Sequence, residues 1–581
     1  PNVARVLAWE GVVDLVFEAT VEQWQGKSKV KLMVRDILFR DEQPQDPGDQ
    51  QLIEELFASP AAQDAAAEQT AAFAARLPEA ALALSPEPSL GSLPLEGLTA
   101  KLKGAFIGDH ELLPCQAQVL DALAQGKSCL AIMATGRGKS LIFQLHAARL
   151  ALKEHKSSIF VYPLRALVND QAFHLEESFG ALGLKVRVLC GETPQEQRDE
   201  IFGQWAAGQL DTLLTTPEFL AIHSAQLAQA PVGFVVIDEA HHAGQSKGGN
   251  REAYQELPRV LQELGDPQVL ACTATATSAV AQEICRLASI DAVFTDLASR
   301  DNLHLVDERN PDDVIACAAS HLSAQQKAIA YTNTRDAAVR LARELRRRVP
   351  ELGHRIAFYH GGMTRTQRLE VEQAFRAGRL SCIVATSAFG EGVNLPDVRS
   401  VMLCSLPYGR VEFNQMSGRA GRDGQPAEVC LLYGSADIAT NQAVLGAAAP
   451  SRQVLVALYR ALRTLEDPTS HRLAFDASQI LGLARSIDSS ATLTPGALEQ
   501  GVAVFSELGF CSVDGFGEDR VITMVDSAGR MDLLSSARYS EGVAEQHAFG
   551  EFASWALEAT ASELECAVDR PIAPAEDVPL P

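Results

Sequence analysis

Thr135-Gly-Arg-Gly-Lys-Ser140 interrupts an apolar run that starts at Cys129, and helical spacing resumes directly after it. Glycines at 136 and 138 permit backbone angles that other residues resist, so the loop can curl and aim its N–H groups inward. The helix that follows adds the positive end of its dipole. Lys139 can then reach the β- and γ-phosphates of a nucleotide, and the Ser140 hydroxyl can ligate Mg²⁺. Thr135, Gly136, Arg137, Gly138, Lys139 and Ser140 are therefore candidate nucleotide-binding residues. A plain glycine-rich turn is the alternative, but it has no need of Gly-Lys-Ser at a strand-to-helix junction. Met133 stands where the usual opening glycine of the phosphate loop would be, so the loop is a variant.

A second site candidate is "FVVIDEAHHAG", which puts Asp238-Glu239 at the end of an apolar strand. Asp238 suits Mg²⁺ coordination, and Glu239 can orient and deprotonate a water that attacks the γ-phosphate. His241 is placed to link this pair to its neighbours. Read alone, Asp-Glu after a strand is an ordinary helix start; a phosphate loop one hundred residues earlier favours the catalytic reading. A third candidate is "NQMSGRAGRDG", which supplies Gln415, Arg419 and Arg422. Two arginines three apart at a helix start share a face and can meet a γ-phosphate. The alternative there is a solvated basic patch, which leaves the flanking glycines unexplained.

These residues need a scaffold that brings strand ends together. The runs "CLAIMA", "SSIFVYP", "VRVLC", "DTLLTT", "FVVIDE" and "QVLACTA" alternate with helical patterns over 101–300. The rhythm repeats over 301–435 with "KAIAYT", "HRIAFYH", "SCIVAT", "SVMLCSL" and "EVCLLY". Such continuous apolar runs suit parallel sheets buried on both faces, so the fold class is α/β with two tandem domains. Residues 1–40 read as an antiparallel β-hairpin, and 41–100 as a linker containing a helix at "AAQDAAAEQTAAFAARL". Over 436–530, three helical patterns and a two-stranded "CSVDGFGEDRVITMV" outline a winged helix, with Thr494-Pro495 opening its third helix. The 531–581 tail carries a helical "FGEFASWALEATASELE" and a Pro-rich end expected to fray.

Composition narrows the class. The chain has 581 residues, too many for a single core. Apolar runs fall short of a membrane span and no signal peptide is visible, so a membrane partner is not expected. Eleven cysteines are scattered without a C-x-x-C pair. That favours reduced thiols in a cytoplasm and argues against a zinc site. A net charge of −24 weighs weakly against nucleic acid, since local basic patches can act within an acidic protein. The first residue is Pro1, which suggests a processed start or a piece of a longer protein.

Taken in order, "LLPCQ", "ATGRGKS", "VYPLRALVNDQ", "TTPEFL", "DEAH", "TATAT", "AIAYTNTRDAA", "ATSAFGEGVNLPDVR" and "QMSGRAGRDG" resemble the motif set of superfamily 2 helicases, most closely the RecQ-type DNA helicases. "RDNL" at 300–303 is similar to that pattern too. The resemblance covers roughly 105–435. It implies two RecA-like domains and an ATP-dependent DNA helicase that unwinds 3′ to 5′ in repair or recombination, with ATP and Mg²⁺ as cofactors and single-stranded or duplex DNA as partner. By the same resemblance Gln116 reads adenine, and Gly392 joins the nucleotide-binding set. Lys139, Asp238, Glu239, Gln415, Arg419 and Arg422 carry catalysis. Thr273 and Thr275, with His241, couple domain closure to hydrolysis. Asn169, Thr216, Gln245, Arg251, Tyr254, Thr332 and Thr386 meet nucleic acid.

The chain departs from this pattern in three places. Leu113 stands where the RecQ adenine pocket usually has arginine. Ser246 and Asn250 stand where the aromatic-rich loop after the DEAH segment has Trp and Phe, which weakens stacking on a base. The four-cysteine zinc module is missing; only Cys430, Cys511 and Cys566 follow Arg422, too dispersed for a site. At the ends, "DLVFEATVEQWQGKSKVKLMVRDI" is similar to the last strands of the OB domain of RecJ-type single-strand exonucleases. "LLSSARYSEGV" is similar, more weakly, to the C-terminal region of some RecJ proteins. This implies a RecQ-like helicase within a RecJ-like chain. The nuclease Asp-His-His motif is not among these residues, so no nuclease activity is expected from them. The alternative function is a DNA-stimulated ATPase module serving such a nuclease with little unwinding of its own.

Overall fold

The computed structural model describes residues 13–24, 27–39, 90–244, 250–323, 325–389, 395–490, 493–514, 520–525, 532–575 and 578–581. The expected linker helix at 61–77 lies outside them, as do Gln245, Ser246 and Gly392. Near the N-terminus, β1 (Val13–Trp24) and β2 (Lys27–Phe39) pair antiparallel from Val13 opposite Phe39 to Trp24 opposite Lys27, with a register shift at Val16/Phe17.

Each expected apolar run of 101–300 forms a strand: β3 (Cys129–Met133), β4 (Ser157–Val161), β5 (Val186–Val188), β6 (Thr212–Thr215), β7 (Val232–Ile237) and β8 (Gln268–Thr273). A seventh, β9 (Ala292–Asp296), was not evident from the sequence. The order is β5-β6-β4-β7-β8-β3-β9, and the pairs are parallel. Every residue of β3, β4 and β6 is buried, because helices cover both faces. The second sheet contains β10 (Leu303–Asp307), β11 (Lys327–Tyr331), β12 (Ile356–Tyr359), β13 (Cys382–Ala385), β14 (Val398–Leu403) and β15 (Ala427–Leu431). Its order is β10-β15-β14-β11-β13-β12, again parallel. Both are doubly wound sheets, and ligands of such sheets gather at the carboxyl ends of the strands.

Beyond the sheets, helices Arg452–Leu465, Ala477–Ile487 and Pro495–Glu507 surround Leu458, Ile480, Leu498 and Ile522, which are fully buried. Thr494 accepts a hydrogen bond from Ala497 N at 3.1 Å and opens the third helix. β16 (Arg472–Ala474), β17 (Cys511–Asp514) and β18 (Val521–Met524) form a small antiparallel sheet, β16-β18-β17. β16 was not foreseen.

The tail differs from expectation in two ways. The helical stretch is two helices, Ala537–Glu558 and Ala561–Asp569, divided where Thr560 and Glu563 make a capping box. The Pro-rich end does not fray over its described residues. Ile572 bridges in parallel to Thr275, Ala276 N donates to Ile572 O at 2.8 Å, and Ile572 N donates to Ala274 O at 3.0 Å. Leu580 packs against the core of the first sheet. Among the described residues no helix is long and apolar enough to cross a membrane.

Candidate nucleotide site

The phosphate loop leaves β3 and enters the helix Lys139–Glu154. Gly136 and Gly138 have φ of +82° and +69°, the left-handed region in which a side chain is strained. Space enforces glycine at 138 as well, since a Cβ there would lie 2.6 Å from Gln116 Nε2. Gln116 is buried, and its amide clasps the loop: Nε2 donates to Arg137 O (3.1 Å) and Gly138 O (3.0 Å), and Oε1 accepts from Leu113 N (2.8 Å). The residue expected to read adenine is thus also built into the wall of the phosphate loop. Lys139 Nζ donates to Met133 O at 3.1 Å, which holds its ammonium across the loop.

Asp238 follows β7 directly, and its N–H continues the ladder to Val161 O at 3.0 Å. Glu239 takes φ +48°, and its N–H donates to Asp238 Oδ1 at 3.0 Å. Burial and the adjacent Glu239 charge push the Asp238 carboxyl up to about 7, against the pull of Lys139. For Glu239 burial favours the neutral acid, but the His241 hydrogen bond and the charges of Lys139 and the histidines outweigh it and hold its pKa well below the ordinary range. One carboxylate therefore stays ionised at the cost of its neighbour. A hard divalent cation fits this donor set: the Ser140 hydroxyl and the Asp238 carboxylate are oxygen ligands, and a cation would favour the Asp238 anion that burial disfavours.

His241 is buried, with Nδ1 3.1 Å from Thr273 Oγ1 and 3.4 Å from Glu239 Oε2. Its Nε2 lies 3.1 Å from Nε2 of Gln415, which belongs to the second domain. An amide donor on that side makes His241 Nε2 the acceptor and leaves the ring proton on Nδ1, facing Thr273 and Glu239. Thr273 Oγ1 also accepts from Thr275 N (3.0 Å) and lies 3.2 Å from Thr275 O. The predicted coupling residues form one chain of contacts that starts in the other domain.

Arg419 and Arg422 follow the helix Arg410–Ser417. A Cβ on Gly136 would be 3.6 Å from Arg422 Cα and 3.8 Å from Arg300 Nη2, so the phosphate loop and the arginine loop meet. Burial, then Arg419 and Arg300, push the Arg422 guanidinium down to about 9, while Glu239 favours its charge. Crowded guanidiniums in a low-dielectric cleft make a site for an anion. Arg300 and Asn302, in the "RDNL" stretch, make contacts that the sequence alone does not indicate. Arg300 donates to Gly418 O (3.2 Å) and Gly421 O (3.0 Å), and Asn302 Nδ2 donates to Gly421 O (2.8 Å) and Gln425 O (2.9 Å). Just upstream, Asp296 at the end of β9 accepts from Arg137 Nε at 2.8 Å. The segment between the sheets therefore holds both phosphate-facing loops.

Thr216, Thr332 and Thr386 each follow a strand end, at β6, β11 and β13. All three are buried, and Thr216 caps the helix Pro217–Leu227. Asn169 and Arg251 lie in helices, but their side chains fall outside the described residues. Tyr254, expected to meet nucleic acid, is fully buried in the core of the first domain, in the cluster that contains Leu257. Elsewhere among the described residues, His321, Glu428 and Cys430 come together near β15. The two ring nitrogens of His321 already face Glu308 (3.3 Å) and Glu428 (3.5 Å).

Comparison with known proteins agrees with this geometry. Residues 113–284 match the DEAD/DEAH box helicase family, and residues 311–424 match the helicase conserved C-terminal domain. The chain is 30% identical over 377 residues to the probable ATP-dependent DNA helicase RecS of Bacillus subtilis, covering 63% of this chain and 73% of the relative. It is 32% identical over 349 residues to the ATP-dependent DNA helicase RecQ of Haemophilus influenzae, covering 59% of this chain and 54% of that protein. The chain thus spans about half the length of its RecQ relatives. Its fold is similar to that of Mycobacterium smegmatis helicase Lhr bound to ssDNA and AMP-PNP, with TM-score 0.50, 22% identity, and coverage of 76% of this chain and 61% of that one. It is also similar to the DUF1998 helicase MrfA bound to DNA, with TM-score 0.51, 18% identity, and coverage of 75% and 63%. With the phosphate loop, the acidic pair and the arginine loop assembled around one cleft, and with these relatives, the chain belongs to the RecQ-type DNA helicases of superfamily 2.

Proposed function

We propose that this protein hydrolyses ATP between its two RecA-like domains and uses the closing and opening of that cleft to move along DNA and unwind it, 3′ to 5′. The observation that carries the reading is the approach of Arg422 to Gly136, because it brings a second-domain arginine, through its Cα and Cγ, beside the loop that would hold a γ-phosphate. Lys139 and the loop N–H groups bind the phosphates, Glu239 takes the proton of the attacking water, and Arg422 meets charge that develops in the transition state. Ser140 and Asp238 would hold Mg²⁺, which would supply neutralisation of phosphate charge. The Thr216, Thr332 and Thr386 strand ends suit a DNA path across both sheets. The 452–524 unit has the helix, strand, helix, helix, strand, strand order of a winged helix, a further DNA-contacting candidate. ATPase and strand-displacement assays with and without single-stranded DNA test this reading, with Lys139→Ala as control. Activity retained in that variant sinks the loop assignment.

One sequence feature favours a second reading, a DNA-stimulated ATPase that serves a RecJ-like nuclease portion and unwinds little. Ser246 and Asn250 replace the rings that would stack on a base. Strong DNA-stimulated hydrolysis without displacement of a duplex would select it. An Asp-His-His motif upstream of Pro1 would support the RecJ-like context.

A further inference from the structure

The C-terminal segment touches both ATPase domains across the cleft. On the second domain, the helix Ala561–Asp569 packs against the helix Arg410–Ser417. Asn414, on that second helix, is buried, and its Nδ2 donates to Ala567 O (2.9 Å) and Arg570 O (2.8 Å). Asp569 lies close enough to Arg300 to favour its charge. Two residues later the chain is on the first domain. Ile572 exchanges backbone hydrogen bonds with Ala274 and Ala276, on either side of Thr275, and Ala575 N donates to Ser278 Oγ at 3.0 Å. Leu580 then packs beside the first domain's core. Prolines at 571, 574 and 579 stiffen the segment, so fixing it costs less entropy than fixing an ordinary tail.

We propose that the helix Ala561–Asp569 and the chain that follows it to Ala575, together with Leu580, are a strap that positions the two ATPase domains against each other and keeps the cleft assembled without DNA. The inference rests on the ATP cleft proposed above. A tie at both ends makes domain contact intramolecular twice over, and so raises the population of the closed arrangement. The grip points are informative. One is the backbone around Thr275, the end of the contact chain from Gln415. The other is the helix that carries Gln415 itself. A domain that swings away must therefore either break the Ile572 bridge or pull on the helix of Asn414. The strap thereby supplies part of the closure that a DNA strand lying across both domains would supply. This suits a chain in which Ser246 and Asn250 replace stacking rings.

The test uses the full chain with Cys566→Ser and spin labels at the exposed positions 197 and 347, one on each domain. Distances are measured by double electron–electron resonance without nucleotide or DNA. The unmodified strap should give one narrow distribution. Ile572→Pro with Leu580→Ser, which frees the first-domain end, should broaden it toward longer distances. Asn414→Leu, which loosens the other end, should do the same, and combining the changes should add little, because two ends of one strap act in series. DNA-free ATP turnover should fall about tenfold on release, while the rate at saturating DNA changes by no more than about twofold. Unchanged distances in both released variants overturn the strap, as do equal losses with and without DNA. If distances broaden but no variant or parent hydrolyses ATP, the strap stands and the helicase reading fails.

Discussion

Gln415 in the second domain meets His241 in the first, Nε2 to Nε2 at 3.1 Å, and the far side of the same ring faces Thr273 at 3.1 Å. A side chain of one domain thus orients the residue that sits beside Glu239, the carboxylate proposed to activate water, in the other. Gln415→Ala and His241→Ala should each lower DNA-stimulated kcat, and the double variant should fall little below either. A coupling of about 1 kcal/mol is expected for a buried hydrogen bond read through a double-mutant cycle. Additive losses would show that the contact does not act in turnover.

Glu239→Gln should bind ATP and Mg²⁺ with near-parental affinity, because Asp238 and Ser140 remain. Turnover should drop about 10²–10⁴-fold for want of a base. Binding measured by fluorescent-nucleotide titration, beside a phosphate-release assay, separates the two effects. Lost binding would assign Glu239 to the metal site instead.

Arg422→Ala should reduce kcat by about 10³-fold and leave KM for ATP close to that of the parent. The reason is positional: Arg422 lies across from the phosphate loop in the opposite domain, so the role proposed for it would be greatest when the cleft is closed. An unchanged kcat would move the role to Arg419. Steady-state kinetics at saturating DNA make the distinction.

Restoring rings in the segment after the DEAH motif, by Ser246→Trp with Asn250→Phe, should raise the ratio of DNA-stimulated to basal ATPase. Stacking on one base is worth about 1–3 kcal/mol, enough to change DNA occupancy several-fold. A ratio that does not move would indicate that DNA is sensed elsewhere on the chain.

The parts of this fold that were legible in the sequence are those whose signal is local. β3, β4 and β6 are buried on both faces and read as unbroken apolar runs. The phosphate loop is legible because its glycines and lysine are adjacent. β9 and β10 escaped notice because they lie at sheet edges, partly exposed, with mixed polarity in "AVFTD" and "LHLVD". The burial of Tyr254 was not legible, because its motif position says nothing about which way its ring turns, and here the first domain's core takes it. The docking of the Pro-rich end was invisible for a different reason. Its partner, Ala274–Ala276, is some three hundred residues away, and a two-bond backbone contact leaves no imprint on side-chain pattern. The clasp of Gln116 on the phosphate loop was likewise hidden, since the amide that supports the loop is the one expected to read adenine.

The crossing from the first sheet to the second has a mechanical consequence. Asp296 is bonded to Arg137 in one phosphate-facing loop, and Arg300, four residues on, is bonded to Gly418 and Gly421 in the other. The five residues 296–300 between the domains are thereby bonded to both loops. In the reading proposed above, a phosphate that shifted either loop would act on this link, and force on the domains would reach the nucleotide site through the same bonds.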